Sequence, residues 1–278
     1  MNFPKTYVIQ MPGSKRNPEL YTSLNFLKID YQIQEAVVGK NLTDQEILEY
    51  VNLKSCDARL GYRISNNLIG SGLSHRKIYQ KMMSEGIEWA LILEEDAILS
   101  DFNRDEISKI ISEISNEPTI IQLFSRAARL MKNKSIRQIS GSERITFDFL
   151  PRIAGCGAPA YLINQSAAQR ALTNHFLDGA PDWPPWALGV QMMGVFPWMV
   201  NESNEGSTMP VEPISQRKYL LRRFSQFTGI HYLKFFREYS GPISYIKEEI
   251  LPYLLHLTWR ANGSKHYLGD ERGPQIIK

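Results

Sequence analysis

Short apolar runs alternate with stretches of helical spacing along most of the chain from Tyr7 to Val200. Tyr7, Val8 and Ile9 form a first predicted strand, followed by a polar loop with Pro12, Gly13 and Pro18. Leu20, Leu24 and Leu27 recur at helical spacing, and the pattern from Tyr31 to Val38 is again that of a strand, stopping at Gly39. Residues 6–39 therefore read as β-α-β, the unit of a parallel sheet. One helix is expected within residues 42–60, with Thr43 as its cap and Glu46 at the capping-box position. Gly70, Ser71, Gly72 and Ser74 predict a tight turn whose serines cap a following helix. That helix shows Ile78, Tyr79, Met82 and Met83 on one face and stops at Gly86.

Trp89 to Leu93 is an apolar run of buried-strand length. Asp101 or Asn103 caps a helix carrying Ile107, Ile110, Ile111 and Ile114. Further strands are read at Thr119 to Phe124, Arg144 to Leu150, Ala160 to Ile163 and Gln191 to Val200, with Asn164 capping a helix through Leu172. Residues 125–142 are polar and basic and read as a loop near the mouth of a site. The alternation of strand and helix predicts an α/β fold.

Composition adds little to this until charge is mapped along the chain. With 278 residues, 43% hydrophobic and 22% charged, the chain suits one large globular domain, alone or with a smaller appendage. The net charge of +3 is concentrated near the C-terminus, where residues 214–240 hold six basic residues against one glutamate. There Arg217, Lys218, Arg222, Arg223, Lys234 and Arg237 are interleaved with aromatic and aliphatic residues such as Tyr219, Phe224, Phe227 and Phe236. Such a basic amphipathic segment suits an anionic membrane surface, and equally a packed helical subdomain. Nucleic acid is the weaker partner, because the body of the chain is net negative and carries no nucleic-acid motif. Two cysteines, Cys56 and Cys156, make no disulfide framework. The N-terminus shows no signal-peptide h-region, and no apolar run approaches the ~20 residues of a membrane span. The expectation is a cytoplasmic protein.

The candidate chemistry gathers where the Trp89–Leu93 run ends in Glu94, Glu95 and Asp96. Ligands of α/β sheets bind outside the carboxyl ends of strands. Side chains alternate along a strand, so Glu94 and Asp96 are expected to point together and Glu95 away. Two converging carboxylates suit Mg²⁺ or Mn²⁺, though an exposed acidic turn would leave the same sequence. If a helix starts near Gly70–His75, its free N–H groups would suit a diphosphate; an ordinary capped helix with His75 in the core fits as well. The small residues Gly155, Cys156 and Gly157 allow close approach of a ligand to the backbone. Asp182, set by Pro181, Pro184 and Pro185 beside Trp183 and Trp186, would suit a sugar, and equally a packing corner.

In order along the chain, these features resemble glycosyltransferase family 25, the lipooligosaccharide galactosyltransferases and their collagen-modifying relatives. The resemblance rests on Tyr7-Val8-Ile9, Ala36-Val37-Val38-Gly39 and Gly70-Ser71-Gly72-Leu73-Ser74-His75. It continues through Ile92-Leu93-Glu94-Glu95-Asp96, Gly157-Ala158-Pro159-Ala160-Tyr161-Leu162-Ile163 and Pro181-Asp182. It covers about residues 5–210. Val38, Ser71 and Glu95 depart from the family pattern, and the outer carboxylates of the acidic motif are kept.

The resemblance implies a GT-A type, Rossmann-like nucleotide-sugar-binding sheet over residues 1–213, with residues 214–278 as a basic, mostly helical extension. It implies Mn²⁺ or Mg²⁺, a UDP-sugar donor, commonly UDP-galactose, and β-linked inverting transfer to a lipooligosaccharide-type saccharide. The location implied is the inner face of a bacterial inner membrane. On this reading Glu94 and Asp96 hold the metal. Gly70, Ser74, His75, Glu95, Gly157 and Tyr161 contact the nucleotide sugar or its pocket. Asp182 is the base on the acceptor hydroxyl, with Glu202 and Glu205 as alternatives. A metal-dependent phosphohydrolase acting on nucleotide sugars and a non-catalytic membrane-associated binding protein are the competing classes. The basic segment makes a direct prediction: deleting residues 214–240 weakens binding to anionic vesicles, measured by co-sedimentation at two salt concentrations. Unchanged, salt-insensitive binding would contradict the membrane reading.

Overall fold

The chain's computed structural model describes residues 3–51, 65–114, 117–124, 129–130, 136–148, 159–173, 190–203, 267–270 and 273–276. The first half contains β1 (Lys5–Gln10), α1 (Pro18–Phe26), β2 (Tyr31–Glu35), a 3-10 turn (Gly39–Asn41), α2 (Asp44–Tyr50), α3 (Asn66–Glu85), β3 (Trp89–Glu94), β4 (Ala97–Ile98) and α4 (Arg104–Glu113). Then come β5 (Thr119–Gln122), β6 (Arg129–Leu130), β7 (Arg137–Gln138), β8 (Ile145–Asp148), β9 (Ala160–Asn164), α5 (Gln165–Thr173), β10 (Gln191–Phe196), β11 (Asn201–Glu202), β12 (Tyr267–Asp270) and β13 (Gly273–Ile276).

Eight strands form the main sheet in the order β2-β1-β3-β9-β5-β10-β8-β7. β1 pairs in parallel with β2 and β3, and β10 in parallel with β5. β9 runs antiparallel between β3 and β5, and β8 antiparallel to β10. The sheet is therefore mixed where the sequence pattern predicts a parallel one. The reason is that all five residues of β9 are buried, so it reads like any central strand. An apolar run encodes burial on both faces but no direction. β1, β2, β3, β5 and β10 still share one direction, and their carboxyl ends lie along one rim. Polar β2 takes the sheet edge, with Gln32, Ile33 and Glu35 exposed.

Local signals set the helix ends. Thr43 caps α2 through a complete capping box with Glu46. The Asn103 side chain accepts from the N–H groups of Asp105 and Glu106 and starts α4. Asn164 Oδ1 accepts from Ala167 N–H at 2.9 Å and from Thr119 N–H at 3.0 Å, so one side chain starts α5 and ties it to β5.

α3 corrects the sequence reading. It is capped by Ser65, not by the serines of the Gly-Ser-Gly stretch, and runs unbroken for 20 residues to Gly86. Gly70 and Gly72 lie in its interior. A Cβ on Gly70 would sit 2.5 Å from Val37 O and 2.7 Å from Gly39 N. A Cβ on Gly39 would in turn sit 1.9 Å from Asn66 O. The two glycines let the backbone of α3 lie against the turn after β2. Ser74 completes this contact, accepting from Val37 N–H at 2.8 Å while donating to Gly70 O at 2.7 Å. The expected free helix start at Gly70–His75 is therefore absent. Small side chains here serve close approach, a requirement that a turn motif mimics in sequence.

Of the extension expected to be mostly helical, the described part is the antiparallel pair β12–β13, which continues onto β6. Residues 214–266 lie outside the described residues. Among the described residues no helix is long and apolar enough to cross a membrane.

Gly70→Ala should cost roughly 1–3 kcal/mol by forcing α3 off the turn. Gly86→Ala, with nothing within 4 Å and only its φ of 65° to strain, should cost about 1 kcal/mol. Thermal unfolding of both variants checks the order; a wild-type melting temperature for Gly70→Ala would contradict it.

Candidate functional site

β3 delivers three carboxylates to the rim. Glu94 is its last residue and lies beside Ile9 of β1 in register. Glu95 turns toward the loop after β1: its Oε2 accepts from Met11 N–H at 3.3 Å, and its Oε1 lies 3.9 Å from Arg16. Asn17 at the end of that loop donates to Ala97 O at 2.7 Å. Glu95 thus serves as the anchor that folds residues 11–17 over the ends of β1 and β3.

Asp96 leads into β4, which pairs with β11 so that Glu202 lies opposite Ala97. Ser203 N–H donates to Asp96 O at 2.8 Å. The Asp96 Oδ1 atom is buried and has no hydrogen-bond partner. Burial raises the Asp96 pKa first, then the charges of Glu94 and Glu202, together pushing it up to about 7. Glu94 and Asp96 thus feel each other's charge, although β3 ends at Glu94 and Asp96 lies in the turn that follows, where the alternation of a strand does not apply. Glu202, read in sequence as an alternative base, joins them through a pairing over a hundred residues away in the chain.

His75 and Tyr161 come together under this rim. His75 is 2% exposed and its Nε2 lies 3.3 Å from Glu94 Oε1. Its Nδ1 lies 2.8 Å from the Tyr161 hydroxyl, which lies 2.8 Å from the hydroxyl of Tyr79. Tyr161 is completely buried, so it does not line an open pocket as expected; its hydroxyl is spent on His75 and Tyr79. Gly70 and Ser74 pack α3 onto the turn. The sequence signal of a Gly-Ser-His helix start therefore divides into two packing residues and one residue bonded to the acidic site.

Gln122, missed in sequence, is fully buried at the carboxyl end of β5, and neither its amide oxygen nor its nitrogen has a partner. Its register neighbours are Tyr161 and Gly194. A single glutamine ending an apolar run carries no motif, so only the sheet order reveals it. Phe124, Phe147, Phe196 and Trp198 cluster further along, with ring centroids 5.9–6.2 Å from that of Trp198. Gly157, Asp182, Trp183, Trp186 and Glu205 lie outside the described residues.

A divalent cation fits the chemistry of this site. The donors are hard carboxylate oxygens, one of them buried without a partner, and like charges meet there. Among the described residues no group of three His, Cys, Asp or Glu could hold a metal ion. A cation held by these two carboxylates alone would need water and phosphate oxygens to complete its shell, as Mg²⁺ accepts.

The family model described as glycosyltransferase family 25 (LPS biosynthesis protein) matches residues 3–175. The chain is 22% identical over 183 residues to the mouse (Mus musculus) protein named inactive glycosyltransferase 25 family member 3. That match covers 63% of this chain and 29% of the mouse protein, so the chain spans under a third of that relative. Among solved structures, an inositol-1-phosphate CTP transferase from T. maritima aligns over 81% of this chain and 98% of its own, at 10% identity and a TM-score of 0.34. A glycosyltransferase involved in glycosylation of the major capsid of PBCV-1 aligns over 60% of this chain and 63% of its own, at 13% identity and a TM-score of 0.24.

The raised Asp96 pKa fixes the sign of a pH effect. The native state holds this proton more tightly than the unfolded chain, whose carboxyl titrates near 3.8. Stability contributed at Asp96 is thus lost as pH rises from about 4 to about 7. In chelator, Asp96→Asn should melt above wild type at pH 8, by about 2–4 °C for each kcal/mol relieved, and with wild type near pH 4. An equal difference at both pH values would contradict this origin.

Proposed function

The chain belongs to glycosyltransferase family 25, and on that premise we propose that it transfers a sugar from a UDP-sugar to a saccharide acceptor, with Glu94 and Asp96 holding Mn²⁺ or Mg²⁺. The observation that carries this reading is the placement of Glu94 at the sheet rim by β3, and of Asp96 next to the β4–β11 pairing that brings in Glu202, with Asp96 Oδ1 buried and unpartnered. The loop of residues 11–17, anchored by Glu95, closes over the same rim and would contact the donor. When bound, the cation supplies Lewis-acid neutralisation of the departing diphosphate.

The chain's own residues supply the rest. Glu94 is oriented by His75, and Asp96 by the β4–β11 pairing. Asp182, between Pro181 and Trp183-Pro184-Pro185-Trp186 in sequence, takes the proton of the acceptor hydroxyl. The sheet over residues 1–213 acts as a GT-A type catalytic domain. Galactose in a β linkage, a lipooligosaccharide-type acceptor and attachment of the basic 214–240 segment to the inner face of a bacterial inner membrane complete the proposal.

A second reading is favoured by one finding: the mouse relative is named inactive. On that reading the chain binds a nucleotide sugar without turning it over. Transfer assays with a panel of UDP-sugars, with and without Mn²⁺, separate the two. Metal-dependent donor binding with product formation supports transfer; metal-dependent binding with no product under any acceptor supports the silent reading. For transfer, Asp96→Ala should abolish product while leaving the fold intact. Asp182→Asn should lower kcat by about 100-fold or more with donor affinity nearly unchanged. Unchanged turnover removes Asp182 from the mechanism.

A further inference from the structure

Between α3 and the sheet lies a row of mutually hydrogen-bonded polar groups. Tyr79 Oη, Tyr161 Oη and His75 Nδ1 follow one another at 2.8 Å, and His75 Nε2 reaches Glu94 Oε1 at 3.3 Å. Tyr79 is 4% exposed, His75 2% and Tyr161 not at all, whereas the Glu94 side chain is 28% exposed. The row therefore starts in the core and ends at the carboxylate that meets the rim. His75 and Tyr79 stand four residues apart on one face of α3, and Tyr161 faces them from β9.

Donor and acceptor chemistry gives the row a direction. An ionised carboxylate only accepts, so His75 Nε2 carries the hydrogen given to Glu94. In the neutral ring Nδ1 then accepts from Tyr161, whose oxygen accepts from Tyr79. If the ring is charged, those two bonds reverse and the Nε2–H bond to Glu94 is kept. Both hydroxyls have partners within the row, unlike the buried hydroxyls of Tyr7 and Tyr21, which have none. Four polar groups in a helix–sheet interface are less stabilising than apolar packing unless each is satisfied. Here all four are, and they converge on a single side chain.

We propose that His75, locked by Tyr161 and Tyr79, is a positioning residue that fixes the Glu94 carboxylate for a divalent cation carrying a nucleoside diphosphate. This rests on the reading of Glu94 and Asp96 as the cation site. Ligating carboxylates whose outer oxygens are held lose less freedom on binding, and loss of such a partner typically weakens metal affinity about 10–100-fold. Tyr161 and Tyr79 act one and two steps removed, by fixing the imidazole plane. None of the three touches the substrate.

The test is Mn²⁺ binding to the intact chain, read by electron paramagnetic resonance of free Mn²⁺ below the melting temperature of every variant, with and without UDP. His75→Ala should weaken Mn²⁺ about 10–100-fold, Tyr161→Phe by less, and His75→Gln, which keeps an N–H donor, should recover most of the affinity. Because His75 acts through Glu94, His75→Ala combined with Glu94→Gln should bind no more weakly than Glu94→Gln alone. Tyr161→Phe removes one hydroxyl and serves if His75→Ala does not fold. Wild-type Mn²⁺ affinity in both His75→Ala and Tyr161→Phe, with Glu94→Gln weakened, overturns the positioning role and leaves the cation site standing. Absence of Mn²⁺ binding by wild type, or wild-type binding by Glu94→Gln, overturns the cation site and this proposal together. Equal losses in His75→Gln and His75→Ala, additive with Glu94→Gln, would show a packing role and overturn it as well.

Discussion

Like charges forced together at the end of a buried strand are the constraint around which this molecule is arranged. β3 is held on both sides, by β1 and by β9, so Glu94 cannot retreat from the rim. Asp96 is fixed by the short β4–β11 pairing, which also brings in the charge of Glu202. Free carboxylates in water would move apart. Here the backbone pairing holds them, and the proton affinity of Asp96 rises in response. A rim of this kind is destabilising until a proton or a cation neutralises it, which links the fold's stability to its chemistry.

The surroundings soften that cost unevenly. Glu95 is drawn off to Met11 N–H and the vicinity of Arg16, so it tethers a loop and adds no third charge to the pair. Glu94 is given an imidazole. Asp96 keeps an unpartnered oxygen. Three adjacent acidic residues thus have three different roles, set by which neighbour each direction of the turn meets.

α3 shows how a packing requirement and a chemical one share a helix. Gly70 and Ser74 bring its backbone onto the turn after β2, and that approach carries His75 and Tyr79 over Tyr161. A bulkier residue at 70 would lift the helix and, with it, the imidazole from Glu94. Residues that never touch a ligand can therefore govern the acidic site through the seating of one helix.

By itself the sequence determined the longer strands of the main sheet, most helix ends and the acidic run that ends β3, but not the short strands β4, β6, β7 and β11 or the β12–β13 pair, of which β6 and β7 lie in the stretch read as a loop. Burial periodicity and caps such as Thr43, Asn103 and Asn164 are local properties, whereas the directions of Glu95 and Asp96 are set by the turn after β3 and not by strand alternation. Strand direction was not legible, because β9 is as apolar as its parallel neighbours. The role of Gly70 was misread as a helix start, because a glycine that admits another backbone looks the same in sequence as one that makes a turn. The joining of His75 to Tyr161, of Glu202 to Asp96, and the burial of Gln122 were decided only in three dimensions. Each depends on residues tens to over a hundred positions apart becoming neighbours through sheet order, and no local pattern encodes that order.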